Sequence, residues 1–309
     1  VDTTDWLVSA DDAGTRLDKF LAAADRLGSR SRAADALRRG KVFLNEVEAG
    51  LGDAPRLLTG GETVRLWRDR PGSAARRTPH RDEVLEVVYD DASFIAVNKP
   101  AGLLTVPLTT REDAPSALSL LAASMMGRGA RRPLVVHRID RDTSGLVLFA
   151  RTPAAQAELK EQFRRRQPER VYWAVVHGHV LQARGEWRDL LTWDPSELRQ
   201  EEADEDDPRA AEAISRFQVV EHLRDATLME VRLVTGKRNQ IRMQAALRGH
   251  PLVGERQYLG PRRPGPPIAF DRQALHARRL NLAHPVSGEF VHLEAPLPPD
   301  MEHLLARLR

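Results

Sequence analysis

Nine residues near the middle of the chain, His137-Arg138-Ile139-Asp140-Arg141-Asp142-Thr143-Ser144-Gly145, run straight into the apolar segment Leu146-Val147-Leu148-Phe149-Ala150. The stretch constrains the fold because it sets an aspartate between two arginines, after one short apolar segment and just before the next. A carboxylate held there lies near positive charge, so it is expected to stay ionised and available as a nucleophile. The competing reading is a turn carboxylate that caps the bend. Asp142 suits that second job better, because Thr-Ser-Gly follows it directly.

At 309 residues the chain is long enough for two domains, one of them with a sizeable core. Charged residues make up 29% and the mean hydropathy is −0.45, which is the profile of a soluble globular protein. A run of about 18 apolar residues is lacking, so no membrane association is expected. Val1–Trp6 has neither the basic start nor the apolar core of a signal peptide. Cysteine is absent, which excludes disulfides and thiolate chemistry and removes most structural zinc sites. A cytoplasmic location is expected. The formal charge of +3 understates the basic surface, because residues 201–207 alone carry six acids and no base. That run lacks the spacing of a calcium loop and reads as an exposed, disordered insertion. The remaining basic excess suits a polyanionic partner.

Residues 14–67 read as a small α/β module. Leu17, Phe20 and Leu21 share a helical face. Ser29 or Ser31 caps a second helix running through Arg39, and Gly40 ends it. Lys41–Asn45 reads as a strand entering a turn, and Gly60-Gly61 as a turn before the strand 62–66. Between 26 and 41 lie Arg26, Arg30, Arg32, Arg38, Arg39 and Lys41, with Asp35 the lone acid. Arg30, Arg32, Arg38, Arg39 and Lys41 are the candidates to reach phosphates. Residues 68–82, rich in Pro, Gly and Arg, form a linker. From 83 to 309 the pattern changes. Residues 84–89, 94–98, 171–176, 213–220 and 228–233 look like strands, and 153–166 like a helix. Strands with few helices between them predict an α+β domain on a mixed, mainly antiparallel sheet.

Several separated segments carry recognisable order. They are Asn98-Lys99-Pro100-Ala101-Gly102, the His137–Gly145 block, Arg170-Val171-Tyr172-Trp173-Ala174-Val175, and Thr235-Gly236-Lys237-Arg238-Asn239-Gln240-Ile241-Arg242. The last continues through Gly249–Gly254 to Tyr258 and Gly260, and a weaker echo follows at Leu275–Leu280, His284-Pro285 and Ala295–Pro298. The set resembles the RluA-type RNA pseudouridine synthases over nearly the whole chain. The order of Arg16–Leu21, Ser29-Arg30-Ser31, Gly40–Asn45 and Gly60-Gly61-Glu62 resembles the RNA-binding module named after ribosomal protein S-four. Ile139 stands where the family usually has Leu, Asn239 where it has His, and Glu255 where it commonly has Asp.

That resemblance implies isomerisation of specific uridines in RNA to pseudouridine, with ribosomal RNA favoured over transfer RNA. It implies Asp140 as the catalytic residue, acting at C1′, at C6 or by promoting loss of the base. Arg242 is its implied ionic partner, although alone it would read as a surface helix arginine. A guanidinium within about 4–6 Å is expected to lower an aspartate pKa by roughly 1–3 units. Tyr172 is implied to stack on the base and Ile241 to wall its other side; without the motif Tyr172 is a buried strand aromatic. Arg138 is implied to fill the gap left by the extruded nucleotide, and His137 to pack behind. Lys99 stays open between a phosphate contact and a solvated turn. The isomerisation consumes no group and changes no oxidation state, so neither cofactor nor metal is expected. Gly236-Lys237 is no phosphate loop, and no serine-hydrolase or zinc-protease motif occurs. The rivals are a non-catalytic RNA-binding or ribosome-assembly factor and a nucleoside-bond hydrolase. A monomer is expected.

Overall fold

The computed structural model describes residues 3–38, 40–50, 53–68, 85–107, 115–126, 132–195, 199–259, 266 and 268–309. The chain divides into two compact units, Val1–Thr78 and Pro79–Arg309. Apart from residue 68, the segment read as a linker lies outside the described residues.

The first unit is a four-stranded antiparallel sheet with two helices. Its strands β1 (Thr3–Leu7), β2 (Val42–Leu44), β3 (Val47–Ala49) and β4 (Thr63–Trp67) are ordered β1-β4-β2-β3. Strand β1 lies upstream of the 14–67 segment and pairs along its length with β4. Helix α1 (Leu17–Leu21) buries Leu17, Phe20 and Leu21, the face that the spacing predicted. Helix α2 (Arg30–Arg38) starts where the Ser29 hydroxyl accepts the Arg32 N–H at 3.2 Å. It stops at Gly40, whose φ of +62° suits glycine at a helix end. Asn45 turns β2 into β3, and its side-chain oxygen accepts the Thr63 N–H at 2.8 Å.

The second unit is built on an eleven-stranded sheet. Its strands are β5 (Glu86–Asp90), β6 (Phe94–Lys99), β7 (Leu134–Val135), β8 (Ser144–Ala150), β9 (Glu169–His177), β10 (Arg184–Asp194), β11 (Arg199–Glu202), β12 (Ala211–Leu223), β13 (Ala226–Leu233), β14 (Leu275–Ala283) and β15 (Phe290–Glu294). They run in the order β11-β10-β12-β13-β9-β14-β8-β6-β5, with β15 beside β14 and β7 beside β8. Every pairing is antiparallel except β8 with β14. The expected α+β fold on a mainly antiparallel, mixed sheet is therefore what forms. Helices α3 (Ala117–Met126), α4 (Pro153–Arg164), α5 (Gln240–Leu247) and α6 (Pro299–Leu308) complete it. Thr152 caps α4 by accepting the Ala155 N–H, with Pro153 at the first turn.

The unbroken apolar run 146–150 is explained by β8, which is buried on both faces. Val147 and Phe149 join one core with Ile95, Val97 and Ile139; Leu146, Leu148 and Ala150 join another with Leu159 of α4 and Leu280 of β14. The acidic run 201–207 is corrected: it is not a disordered insertion. Glu201 and Glu202 belong to β11, the edge strand, and residues 204–207 form a turn closed by the Asp207 N–H on the Asp204 carbonyl. Carboxylates there discourage an added strand. Gly145, at φ +109°, lets β8 approach β14 so closely that a Cβ would stand 2.2 Å from the Ala277 carbonyl oxygen.

Gly145→Ala is therefore expected to cost about 3 kcal/mol or more, from clash and strain together. Thermal unfolding of the variant checks this; an unchanged midpoint would mean that the strands separate freely.

Candidate active site

Asp140 sits in the turn between β7 and β8, and a second segment grips the turn from both sides. The Thr105 hydroxyl donates to the Ile139 carbonyl at 2.8 Å and accepts the Ile139 N–H at 3.2 Å. The Arg141 carbonyl accepts from the Gly102 N–H and from the Lys99 ammonium, each at 2.9 Å. Residues 99–105 thus fix the backbone immediately before and after the aspartate. Thr143 closes the turn by donating its N–H to the Asp140 carbonyl at 3.2 Å.

Lys99 requires a correction. It is fully buried, and its ammonium also donates to the Pro100 and Leu103 carbonyls at 2.8 Å. It is neither a phosphate contact nor a solvated turn residue, because all three of its donors point at backbone. Burial pulls its pKa down to about 7, although Asp142 and Asp140 favour the charged form.

Arg242, on the first turn of α5, reaches Asp140 with Nη1 to Oδ2 at 3.6 Å. Its stronger partner is Glu255. Nε and Nη2 each donate to one Glu255 oxygen at 2.7 Å, and Nη1 donates to the Asn239 side-chain oxygen at 3.0 Å. The Glu255 side chain is 1% exposed, and its Oε1 also accepts the N–H groups of Arg256, Gln257 and Tyr258. Burial alone would raise the Glu255 carboxyl, but the Arg242 fork and these N–H groups hold it below its usual value. Glu255 is the residue that sequence reasoning missed as a partner. Its sequence signal is Gly254, at φ +75°, where a Cβ would stand 2.0 Å from the Arg272 carbonyl oxygen.

Asp140 consequently behaves differently from expectation. Protein surrounds its carboxylate, and this burial pushes the pKa up; Arg242, Arg138 and Lys99 pull it back without cancelling the rise. The side chain keeps 28% of its surface open, toward the cleft. Among the described residues no group donates a hydrogen bond to its carboxylate oxygens. A carboxylate that is poorly solvated and not hydrogen-bonded is more basic, and a better nucleophile, than one in water.

The cleft has a volume of about 620 Å³, within the range of small-ligand sites. Asp140, Tyr172, Ile241, Arg138 and Arg242 all line it. Tyr172 comes from β9 and Ile241 from α5, 9% and 4% exposed. Burial raises the Tyr172 pKa, so the hydroxyl stays protonated at neutral pH. Arg138 is exposed. His137 stacks on Phe163 with ring centroids 4.7 Å apart, and its Nε2 accepts the Leu148 N–H at 3.1 Å. Burial and then Arg170 lower its pKa to about 3, so it is a neutral packing group. Gln240 sets the start of α5: its Oε1 accepts from the Thr235 hydroxyl and the Lys237 N–H, and its Nε2 donates to Ser215. Asn239 explains its own departure from the family pattern. It has φ +53°, which asparagine tolerates, and it donates to the Tyr258 hydroxyl at 3.0 Å while holding Arg242.

In the first unit, Arg30 and Arg32 are exposed on α2. The side chain of Arg38 and all of Arg39 lie outside the described residues. Lys41 is half-buried and its ammonium is bonded to the Arg68 carbonyl, so it does not stand free. No group of three or more His, Cys, Asp or Glu suited to a metal occurs among the described residues. Nor is any described helix long and apolar enough to cross a membrane.

The family model for RNA pseudouridylate synthase matches residues 93–247, which hold the Asp140 turn, β9 and α5. The chain belongs to the RNA pseudouridylate synthase family. Ribosomal large subunit pseudouridine synthase D of Escherichia coli O157:H7 is 35% identical, over 98% of this chain and 93% of that one. An uncharacterized RNA pseudouridine synthase of Bacillus subtilis (strain 168) is 33% identical, over 99% and 98%. Among solved structures, human RNA pseudouridylate synthase domain containing 4 shares the fold, with a TM-score of 0.59 and 23% identity over 72% of this chain and 92% of that one. The synthase is thus an isomerase of uridines in RNA.

Lys99 gives this synthase a testable pH signature. Between pH values of about 7 and about 10.5 the unfolded chain binds a proton that the folded chain does not. Stability therefore rises with pH across that window, by at most about 1.4 kcal/mol per pH unit. Lys99→Met is expected to lose that slope. Urea unfolding of both proteins at several pH values between 7 and 10 measures it, and parallel stability curves would refute the buried titration.

Proposed function

We propose that this synthase acts on large-subunit ribosomal RNA and that Asp140 is its nucleophile. The observation that carries the second part is a carboxylate that accepts no hydrogen bond among the described residues, 3.6 Å from a guanidinium, opening into a cleft with Tyr172 and Ile241. A uridine swung out of its helix fits between the Tyr172 ring and Ile241, above Asp140. Extrusion costs a few kcal/mol, and Arg138 occupies the place left in the helix. The C1′–N1 bond breaks, the base turns, and a C1′–C5 bond forms. The proton on C5 is lost and N1 gains one, so the mass is unchanged. Asp140 drives the first step at C1′, at C6 or by promoting departure of the base. Arg242 stabilises its charge, and Tyr172, whose hydroxyl stays protonated, is the proton donor in this reading.

The ribosomal substrate is supported by the 35% identical relative, a ribosomal large subunit pseudouridine synthase, and by the basic segment 26–41 of the first unit. There the exposed Arg30 and Arg32 of α2 supply phosphate contacts independent of sequence. In this reading residues 14–67 form the S-four-like RNA-binding module, residues 68–82 the linker and residues 83–309 the catalytic domain. The reading also carries the expectations of a cytoplasmic monomer that uses no cofactor.

Incubation with unmodified large-subunit RNA is expected to create pseudouridine, mapped by mass spectrometry after chemical labelling. Asp140→Asn should lower conversion by at least about a thousandfold, the scale for an essential group. Full activity in that variant would remove Asp140 from its role. RNA binding with no conversion would favour a binding protein, and release of free uracil a hydrolase.

The raised Asp140 pKa gives a second test. Turnover needs the carboxylate, so the acidic limb of kcat/KM should lie above the ordinary aspartate value of about 3.9. Arg138→Gln removes a charge that favours the carboxylate. Its acidic limb should move to still higher pH; a limb that stays put would mean that another group titrates.

A further inference from the structure

Arg170 is a guanidinium in the cleft that faces no carboxylate partner among the described residues. It lies on β9, two residues before Tyr172, and a strand points residues two apart to the same side. Both residues line the cleft. Its Nη2 lies 3.2–3.4 Å from the carbonyl oxygens of Leu233, Val234 and Thr235, three long contacts shared by one nitrogen. Its Nε is shut off from water with no hydrogen-bond partner among the described residues. Phe163 lies 5.7 Å from its central carbon. No ion pair to Arg170 occurs among the described residues, whereas Arg151, Arg164, Arg242, Arg248, Arg272 and Arg279 each have one.

An arginine stays charged in proteins, so a largely buried one without a counter-ion is costly unless a ligand supplies the anion. The cleft itself cannot. Among the described lining residues Asp140 is the one carboxylate, against Arg138, Lys160, Arg166, Lys237 and Arg238. Gly236 provides the room. A Cβ there would stand 2.5 Å from Arg170 Nη1, so any larger residue would press on the guanidinium. The planar fork of arginine matches a phosphate, and the only phosphates that reach a site beside Tyr172 belong to the nucleotide in it or its immediate neighbour.

Building on the proposed RNA substrate, we propose that Arg170, in the space left by Gly236, seats a backbone phosphate at the target uridine. It acts as an anchor that holds the extruded nucleotide over Asp140. The simpler reading, a brace for the carbonyl end of β13, is what the test must separate.

The test measures binding in the Asp140→Asn background, so that it does not depend on turnover. Unmodified large-subunit RNA transcripts serve as the probe, across a series of salt concentrations. Arg170→Gln is expected to weaken binding about tenfold and to lower the slope of log K against log salt by about 0.7, the value for one phosphate on a single strand. Gly236→Ala keeps the charge but displaces the guanidinium, and should weaken binding in the same direction. Arg170→Lys keeps the charge without the fork, and should fall between wild type and Arg170→Gln. Unchanged affinity and slope with a lowered melting temperature in Arg170→Gln would overturn the proposal and leave a brace. Should Arg170→Gln fail to fold, unchanged binding by Gly236→Ala and Arg170→Lys would overturn it equally. If Asp140→Asn keeps its activity, the nucleophile assignment fails while the Arg170 result still stands, because it reads affinity alone.

Discussion

The fork between Arg242 and Glu255 is the interaction on which the rest of the site depends. An arginine facing one carboxylate would close on it and tie up both oxygens. Here the two short bonds go to a buried glutamate, whose own geometry is fixed by three backbone N–H groups and by the turn at Gly254. The guanidinium is thereby held 3.6 Å from Asp140, close enough to act by charge and too far for a strong hydrogen bond. Asp140 keeps both oxygens available for chemistry while remaining beside a cation. Breaking a buried, hydrogen-bonded charge pair costs several kcal/mol, so the arrangement is stiff.

The number of cations around Asp140 overstates the field that it experiences. Arg242 is largely neutralised by Glu255, and Lys99 loses part of its charge near neutral pH. Burial then outweighs the remaining attraction, which is why the aspartate rises instead of falling. The same segment that lowers the charge supplies the rigidity: Lys99, Gly102 and Thr105 hold the backbone of Ile139 and Arg141 through four hydrogen bonds. Asp140 is positioned by its neighbours' backbone, and its own side chain is left free.

Much of this was legible in the sequence. The apolar spacing of α1, a serine cap at 29 or 31 and the Gly40 stop of α2, the Pro153 start of α4 and the strands around Val97, Val175 and Val231 follow from local patterns. The motifs brought Asp140, Tyr172, Ile241 and Arg242 to one cleft despite about a hundred residues of separation. Three things were not legible. Lys99 sits in a turn-like Asn-Lys-Pro, and nothing local says that its ammonium is drawn inward by the carbonyls of Pro100, Leu103 and the distant Arg141. Glu255 looks like an ordinary surface acid until the fold brings α5 over it. The acids of 201–207 suggest solvation by composition, and only the pairing of β11 with β10 makes them a strand edge. Lys99 and Glu255 each depend on a contact between segments, and the strand edge at 201–207 on a hairpin whose pairing the acidic composition hides.

The parallel pairing of β8 with β14 spans two residue pairs, His276 with Ser144 and Ala277 with Gly145. All other joins in the sheet run the opposite way, so this short seam is where two antiparallel halves meet. One half carries the Asp140 turn; the other carries Tyr172 and leads into the loop before α5. The outer edge still reaches this junction: on β11 the Gln200 N–H donates to the Tyr258 hydroxyl, which also accepts from the Asn239 that holds Arg242. A change in the β10–β11 hairpin that moves Gln200 is therefore transmitted, through Tyr258 and Asn239, to the guanidinium beside the reacting carboxylate.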